Sequence, residues 1–288
     1  MPELPEVEVV KRSLKSTINN LIIKGIKIND GNLRYKVKKH KIGQIIGSKI
    51  TDIKRRSKYL IFYFNTEIVM IVHLGMTGKF FVVENNGVKR KTSFYYDISK
   101  KDEKHNKLIF LLNKKVKLIY NDVRKFGFIK LEKVKNININ SHLKILGPEA
   151  LSNSFDFNYF KKKIIGKNRT IKDFLMDQKN VAGLGNIYVN ELLHFSKIKP
   201  SKKVKLLDHT DIRRIIRNTK YVLKKAIKYG GSSIKNFSNS TGNKGNFQHQ
   251  FSVYDRKDQN CSNSDCKGVI KKIVISNRAS FFCSKCQK

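Results

Sequence analysis

Two stretches of this 288-residue chain carry side chains whose types and spacing suit chemistry. The first is the opening Met1-Pro2-Glu3-Leu4-Pro5-Glu6. A small second residue permits removal of Met1, after which Pro2 offers a secondary amine. An α-amine has an ordinary pKa of about 7.7–8.0, so a usable share is unprotonated near neutral pH. Such an amine can attack a sugar C1′ and give an iminium without further proton loss, the Schiff-base form of covalent catalysis. Glu3 and Glu6 lie close enough in sequence to offer a carboxylic acid and a carboxylate for proton transfers. A plainer reading stands beside this one: two prolines and two glutamates also start a helix well.

The second stretch is the last 28 residues, which hold Cys261, Cys266, Cys283 and Cys286 in a C-x4-C-x16-C-x2-C pattern. Two close pairs around a hairpin-length insert suit a tetrahedral four-thiolate zinc site, with Val269–Ile275 and Ala279–Phe282 as the intervening strands. With every position taken by sulfur, one such zinc would be structural and would leave no open site for catalysis. Two disulfides or four unrelated thiols are the alternatives. The absence of cysteine before position 261 and of any signal-peptide pattern at the start speaks against a disulfide scaffold.

These groups need a frame, and the composition says what kind. Sixty-one basic against 22 acidic residues give a net charge of +39, shared almost equally by the two halves. So basic a protein repels itself and suits a polyanionic partner, nucleic acid first, because phosphate neutralisation releases condensed counterions. Of the basic residues 49 are lysine, so biased composition is the bland account of part of that charge. A hydrophobic share of 40% argues against disorder. Runs such as Tyr59–Phe64 fall far short of the ~20 residues that span a bilayer. The arithmetic excludes a secreted, membrane-embedded or fibrous protein.

Along the chain, Val7, Val10, Leu14 and Ile18 fall at helical spacing and predict a helix over Pro5–Asn19. From Leu21 to Lys133 the texture is short β-rich runs, among them Gly47–Arg55, Tyr59–Asn65, Ile68–Leu74, Thr92–Ile98 and Gly127–Leu131, which predict a sandwich or barrel. The second half turns helical: Asp156–Ile164, Arg169–Asp177, Asn186–Phe195 and a longer helix capped by Thr210 and ended by Gly230-Gly231. Ser232–His249 is a polar loop long enough to be functional.

Several motifs, taken in order, resemble the formamidopyrimidine-DNA glycosylase family. They are MPELPEVE; Arg55-Arg56-Ser57-Lys58-Tyr59-Leu60; His73-Leu74-Gly75-Met76-Thr77-Gly78; Asp122-Val123-Arg124-Lys125-Phe126-Gly127; Leu146-Gly147-Pro148-Glu149; and Val181-Ala182-Gly183-Leu184-Gly185-Asn186-Ile187-Tyr188. The cysteine pattern, with Asn277-Arg278-Ala279 before its second pair, completes the set, so the resemblance runs from Pro2 to Lys288.

The resemblance implies a base-excision-repair glycosylase with AP lyase activity. It would act on double-stranded DNA that contains oxidised purines such as 8-oxoguanine and formamidopyrimidines. Pro2 is then the nucleophile, Glu3 assists base departure and ring opening, Glu6 is a second carboxylate of the site, and Lys58 lies near the lesion and its phosphate. His73, Asn186 and Arg278 match DNA-contacting positions. Met76, Arg124 and Phe126 match the three residues that fill the duplex where the base has left. The 232–249 loop corresponds to one that closes over an everted purine.

The implied fold is α+β with two domains: a catalytic β-sandwich with flanking helices over residues 1–133 and a linker over 134–151. A helical domain with a helix–two-turn–helix element follows over 152–259, then a zinc finger over 260–288. The implied state is a cytoplasmic, nucleoid-associated bacterial monomer with no membrane partner. An endonuclease VIII-like enzyme for oxidised pyrimidines, or a non-catalytic DNA-binding relative, is the alternative. The sequence departs from the family in its first cysteine pair, C-x4-C where C-x2-C is common. It also has Lys125 where an arginine is common.

Overall fold

A computed structural model describes residues 1–84, 88–91, 100–232 and 247–288. The strand expected over Thr92–Ile98 and most of the 232–249 loop lie outside the described residues. Two compact units emerge. One holds Met1–Lys144 with Gly230, Gly231 and Ser232, and the other holds Ile145–Tyr229 and the segment that ends at Lys288. No helix among the described residues is long and apolar enough to cross a membrane.

The first unit opens with helix α1 (Leu4–Ile18). Its apolar stripe, Val7, Val10, Leu14 and Ile18, is buried, and a reciprocal capping box between Glu3 and Glu6 closes its first turn. The strands that follow are β1 (Ile23–Ile28), β2 (Ile50–Arg56), β3 (Tyr59–Phe64), β4 (Ile68–His73), β5 (Lys79–Val83), β6 (Lys89–Lys91), β7 (Asn106–Leu112), β8 (Lys117–Asn121) and β9 (Phe128–Lys133). A short helix, α2 (Lys39–Ile42), precedes β2. The strands form two antiparallel sheets, β1-β7-β8-β5-β6 and β2-β3-β4-β9.

Alternation explains why the sheets stack. Leu60, Phe62 and Phe64 on β3, Met70 and Val72 on β4, Phe80 and Val82 on β5, and Leu108, Phe110 and Leu112 on β7 recur every second residue and join one core with α1. Each such aliphatic or aromatic side chain contributes about 1.5–3 kcal/mol when fully buried. The outer face of the five-stranded sheet keeps a smaller cluster around Phe81 and Ile119.

The second unit contains α3 (Phe157–Ile164), α4 (Ile171–Met176), α5 (Asn186–Phe195), α6 (His209–Lys228) and the hairpin β10 (Ile270–Ile275) and β11 (Arg278–Cys283). The cap of α6 is Asp208, whose carboxylate accepts the Asp211 N–H, and Thr210 lies inside the first turn. A carboxylate two residues upstream thus displaces the expected hydroxyl cap.

The segment 134–151 passes from the first unit to the second at Lys144–Ile145. Asn140 donates to Glu132 and His142 packs on Phe128, which keeps this part on the first unit. Gly147 N–H donates to Gln178 O and Ala150 N–H to Ala182 O, which fixes the remainder to the second.

Candidate active site and metal centre

The capping box that starts α1 also buries the opening residues. Pro2 and Glu3 are buried, while Met1 is 40% exposed and holds the Pro2 nitrogen in a peptide bond. Burial pushes the Met1 α-amine below its usual pKa; Lys58 and Arg124 add to that shift, and Glu3 and Glu6 oppose it. Those four side chains therefore share one electrostatic neighbourhood with the chain's first nitrogen.

Lys58 reaches it from the β2–β3 turn. Arg56 pairs with Tyr59, so Ser57 and Lys58 form a two-residue hairpin turn, with Ser57 in the left-handed region at φ 54°. Both are buried. Arg55 braces the turn by donating to Ser57 O at 2.9 Å and to the Glu8 carboxylate at 3.0 Å. Burial raises the Glu8 pKa, but hydrogen bonds from Lys11, Arg12 and Arg55 outweigh it and hold the carboxyl below its ordinary range.

Glu6 occupies a different position from Glu3. Its Oε2 accepts the Glu3 N–H at 2.8 Å, and its Oε1 accepts both Ser232 N–H (2.8 Å) and Ser232 Oγ (3.1 Å). With both oxygens engaged, this carboxylate orients the α1 N-terminus and pins Ser232.

Met76, Arg124 and Phe126 come together on two loops, the β4–β5 loop and the β8–β9 loop. Met76 is 38% and Phe126 47% exposed, so neither belongs to a core, and the Arg124 guanidinium lies over the Phe126 ring at 4.5 Å. The loops touch so closely that a Cβ on Gly75, at φ +61°, would sit 2.5 Å from the Gly127 nitrogen. Lys125, where the family commonly has arginine, bonds Asp30 at 2.9 Å, and Lys107 binds the same oxygen at 3.0 Å. The loop side chains open onto a concavity of about 670 Å³ that Met1, His73 and Arg34 also line.

His73 is held neutral. Burial, then Lys58, Arg34 and His142, push its pKa down to about 4. Its Nδ1 accepts the Gly75 N–H at 3.0 Å, so in the neutral ring Nε2 carries the proton and is a donor. Sequence reasoning missed Arg34 and Asp122. Arg34 N–H donates to Gly127 O at 3.1 Å, and one arginine in so basic a chain gives no warning of its place. Asp122 lay inside a quoted motif, where its full burial could not be read.

The second unit brings Asn186 to its own hairpin. The cap of α5 is Gly185, and Asn186 is the first helical residue. Its Nδ2 donates to Ala279 O at 3.1 Å, and its buried Oδ1 has no hydrogen-bond partner among the described residues. Buried Lys172 also donates to Ala279 O, and Asn190 accepts the Phe281 N–H at 2.7 Å. The hairpin turn is Ser276-Asn277, both at positive φ, which leaves exposed Arg278 beside the tip.

Cys261, Cys266, Cys283 and Cys286 place their sulfurs within 4.8 Å of one another, and none is in a disulfide. Two of the separations are 3.8 Å (Cys261–Cys286) and 3.5 Å (Cys266–Cys283). A tetrahedron with Zn–S bonds of about 2.3 Å has sulfur–sulfur edges of about 3.8 Å, so the donor set fits zinc despite the longer first spacing.

Residues 1–129 match the formamidopyrimidine-DNA glycosylase N-terminal domain, and residues 146–238 match the formamidopyrimidine-DNA glycosylase H2TH domain. A formamidopyrimidine-DNA glycosylase of Rhodopseudomonas palustris is 38% identical over 296 residues, and one of Rickettsia bellii is 40% identical over 288; each comparison covers the whole of both chains. Among solved structures, a complex of Lactococcus lactis Fpg with DNA containing an abasic site superposes with a TM-score of 0.84 at 34% identity over 99% of each chain. A complex of the wild-type Lactococcus lactis protein with DNA containing N7-benzyl-Fapy-dG gives 0.84 at 34% identity over all of both chains. With two family domains matched in order and full-length relatives at this identity, the chain belongs to the formamidopyrimidine-DNA glycosylase family.

Proposed function

We propose that this chain is a bifunctional DNA glycosylase and AP lyase that removes oxidised purines, 8-oxoguanine and formamidopyrimidines, from double-stranded DNA. One observation carries the reading: the first α-amine, Glu3 and Lys58 share a neighbourhood beside a concavity lined by Met76, Arg124 and Phe126. The names of the relatives and the damaged DNA in their complexes support the substrate class.

After Met1 is removed, the Pro2 nitrogen attacks C1′ and the glycosidic electron pair leaves with the base, which takes up a proton. Glu3 delivers a proton to O4′ as the sugar ring opens and the iminium forms. Loss of a C2′ proton then expels the 3′-phosphate, and a second elimination expels the 5′-phosphate. Water hydrolyses the remaining iminium and frees the amine. Lys58 and neutral His73 hold phosphate oxygens near the reacting sugar, and Asn186 and Arg278 hold others from the second unit. Phe126 wedges between base steps, Arg124 hydrogen-bonds the orphaned base, and Met76 fills the remaining space. The four cysteines hold one structural zinc that fixes the hairpin carrying Arg278.

The test is borohydride trapping on an 8-oxoguanine duplex, run with an intact-mass measurement of the N-terminus. A covalent adduct on the Met-processed chain is expected, with weaker excision of thymine glycol from a matched duplex. Absence of the adduct from processed protein that still binds the duplex overturns the mechanism. Preference for thymine glycol overturns the purine assignment.

A further inference from the structure

The three duplex-facing side chains stand on two separate loops, and a single hydroxyl joins those loops. Thr77 Oγ1 donates to Asp122 Oδ1 at 2.5 Å and accepts the Arg124 N–H at 3.0 Å. Asp122 is fully buried, and its Oδ2 accepts the Gly127 N–H at 2.9 Å and the Tyr120 hydroxyl at 3.3 Å. Thr77 follows Met76, Arg124 lies two residues after Asp122, and Gly127 follows Phe126. One hydroxyl and one carboxylate thus fix the base of the Met76 loop and both ends of the Arg124–Phe126 turn.

The mechanical demand explains the arrangement. Unstacking a base step costs a few kcal/mol, and a loop that yields under that load cannot push the step open. Phe126 and Met76 are partly exposed, at 47% and 38%, so the loop backbones beneath them must carry part of that resistance. We infer that Thr77 is a positioning residue that couples the two loops through Asp122, so that Met76, Arg124 and Phe126 enter the duplex as one rigid wedge. The inference rests on the function proposed above.

The test compares Thr77→Val, which keeps the shape and removes the hydroxyl, with Thr77→Ser, which keeps the hydroxyl. Each is mixed with a duplex carrying 2-aminopurine beside 8-oxoguanine, whose fluorescence rises when the neighbouring step opens. Loss of these hydrogen bonds at the transition state should slow the fluorescence rise and single-turnover excision by about 10-fold in Thr77→Val, with Thr77→Ser within about 2-fold of wild type. Borohydride trapping on a single-stranded abasic oligonucleotide, which has no stack to open, should stay at the wild-type level in both variants. An unchanged fluorescence phase in Thr77→Val overturns the inference, as does a matching fall in single-stranded trapping, which marks general damage to the site. Should wild type trap nothing, the proposed chemistry fails, while the fluorescence phase still reads the wedge on its own.

Discussion

Under the proposed mechanism the nucleophilic amine must be unprotonated and aimed, and at the residue scale the capping box that starts α1 bears on the second need. Burial lowers the pKa of the Met1 α-amine, which caps Pro2 in the unprocessed chain. A Pro2→Gln variant should retain Met1 and displace the nucleophile by one residue. We expect its borohydride adduct to form at least about 100-fold more slowly, because misplacement by about 1 Å already has costs of that order. Duplex affinity, measured by fluorescence anisotropy, should remain close to wild type. His73 makes a second prediction with a definite sign. Its folded pKa of about 4 lies below the ordinary value, so between pH 6.5 and 4 the unfolded chain takes up a proton that the folded chain refuses. Stability therefore falls as pH drops through that window and levels off below it. Urea denaturation should show a fall across this window that is smaller in His73→Gln than in wild type, by about 3 kcal/mol, with the remainder due to other groups such as His142 and His194.

Elements set these residues in place, and Gly231 shows how little slack they have. It sits at φ +81°, and a Cβ there would lie 2.9 Å from Glu6 Oε1, the oxygen that accepts both Ser232 bonds. Gly231→Ala should lower stability by about 1–2 kcal/mol, read as a shift in urea midpoint at unchanged m-value. The glycine pair was legible in the sequence as a helix stop, and α6 indeed ends at Lys228. Its second duty was not legible, because the carboxylate it faces and that Ser232 bonds lies 226 residues from Ser232 in the chain. The same limit runs through the molecule. Local period and turn chemistry announced α1, the β3 and β4 strands and the cysteine hairpin, since each depends on neighbours in sequence. Asp122, Arg34 and the Arg55 brace owe their places to contacts between distant segments, which no local window contains. The α6 cap went to Asp208 over Thr210, a choice between two cap-forming residues two positions apart that spacing alone does not decide.

For the whole molecule, the four-cysteine cluster and the basic charge act together. The cysteines hold a hairpin whose inner strand is bonded to Lys172, Asn186 and Asn190. Chelation should therefore unfasten β10 and β11 first, seen as lost amide-exchange protection there while the first-unit strands keep theirs. Duplex binding should weaken at the same time through the loss of Arg278. The Glu6–Ser232 pin has a consequence in time as well as in space. Glu6 leaves the ribosome among the first residues of the nascent chain, whereas Ser232 emerges only when four-fifths of synthesis is done. Until then the carboxylate has no late partner to hold the opening turn. The proposed chemistry requires removal of Met1, and that step has most of translation in which to occur before the late segment closes on the opening turn.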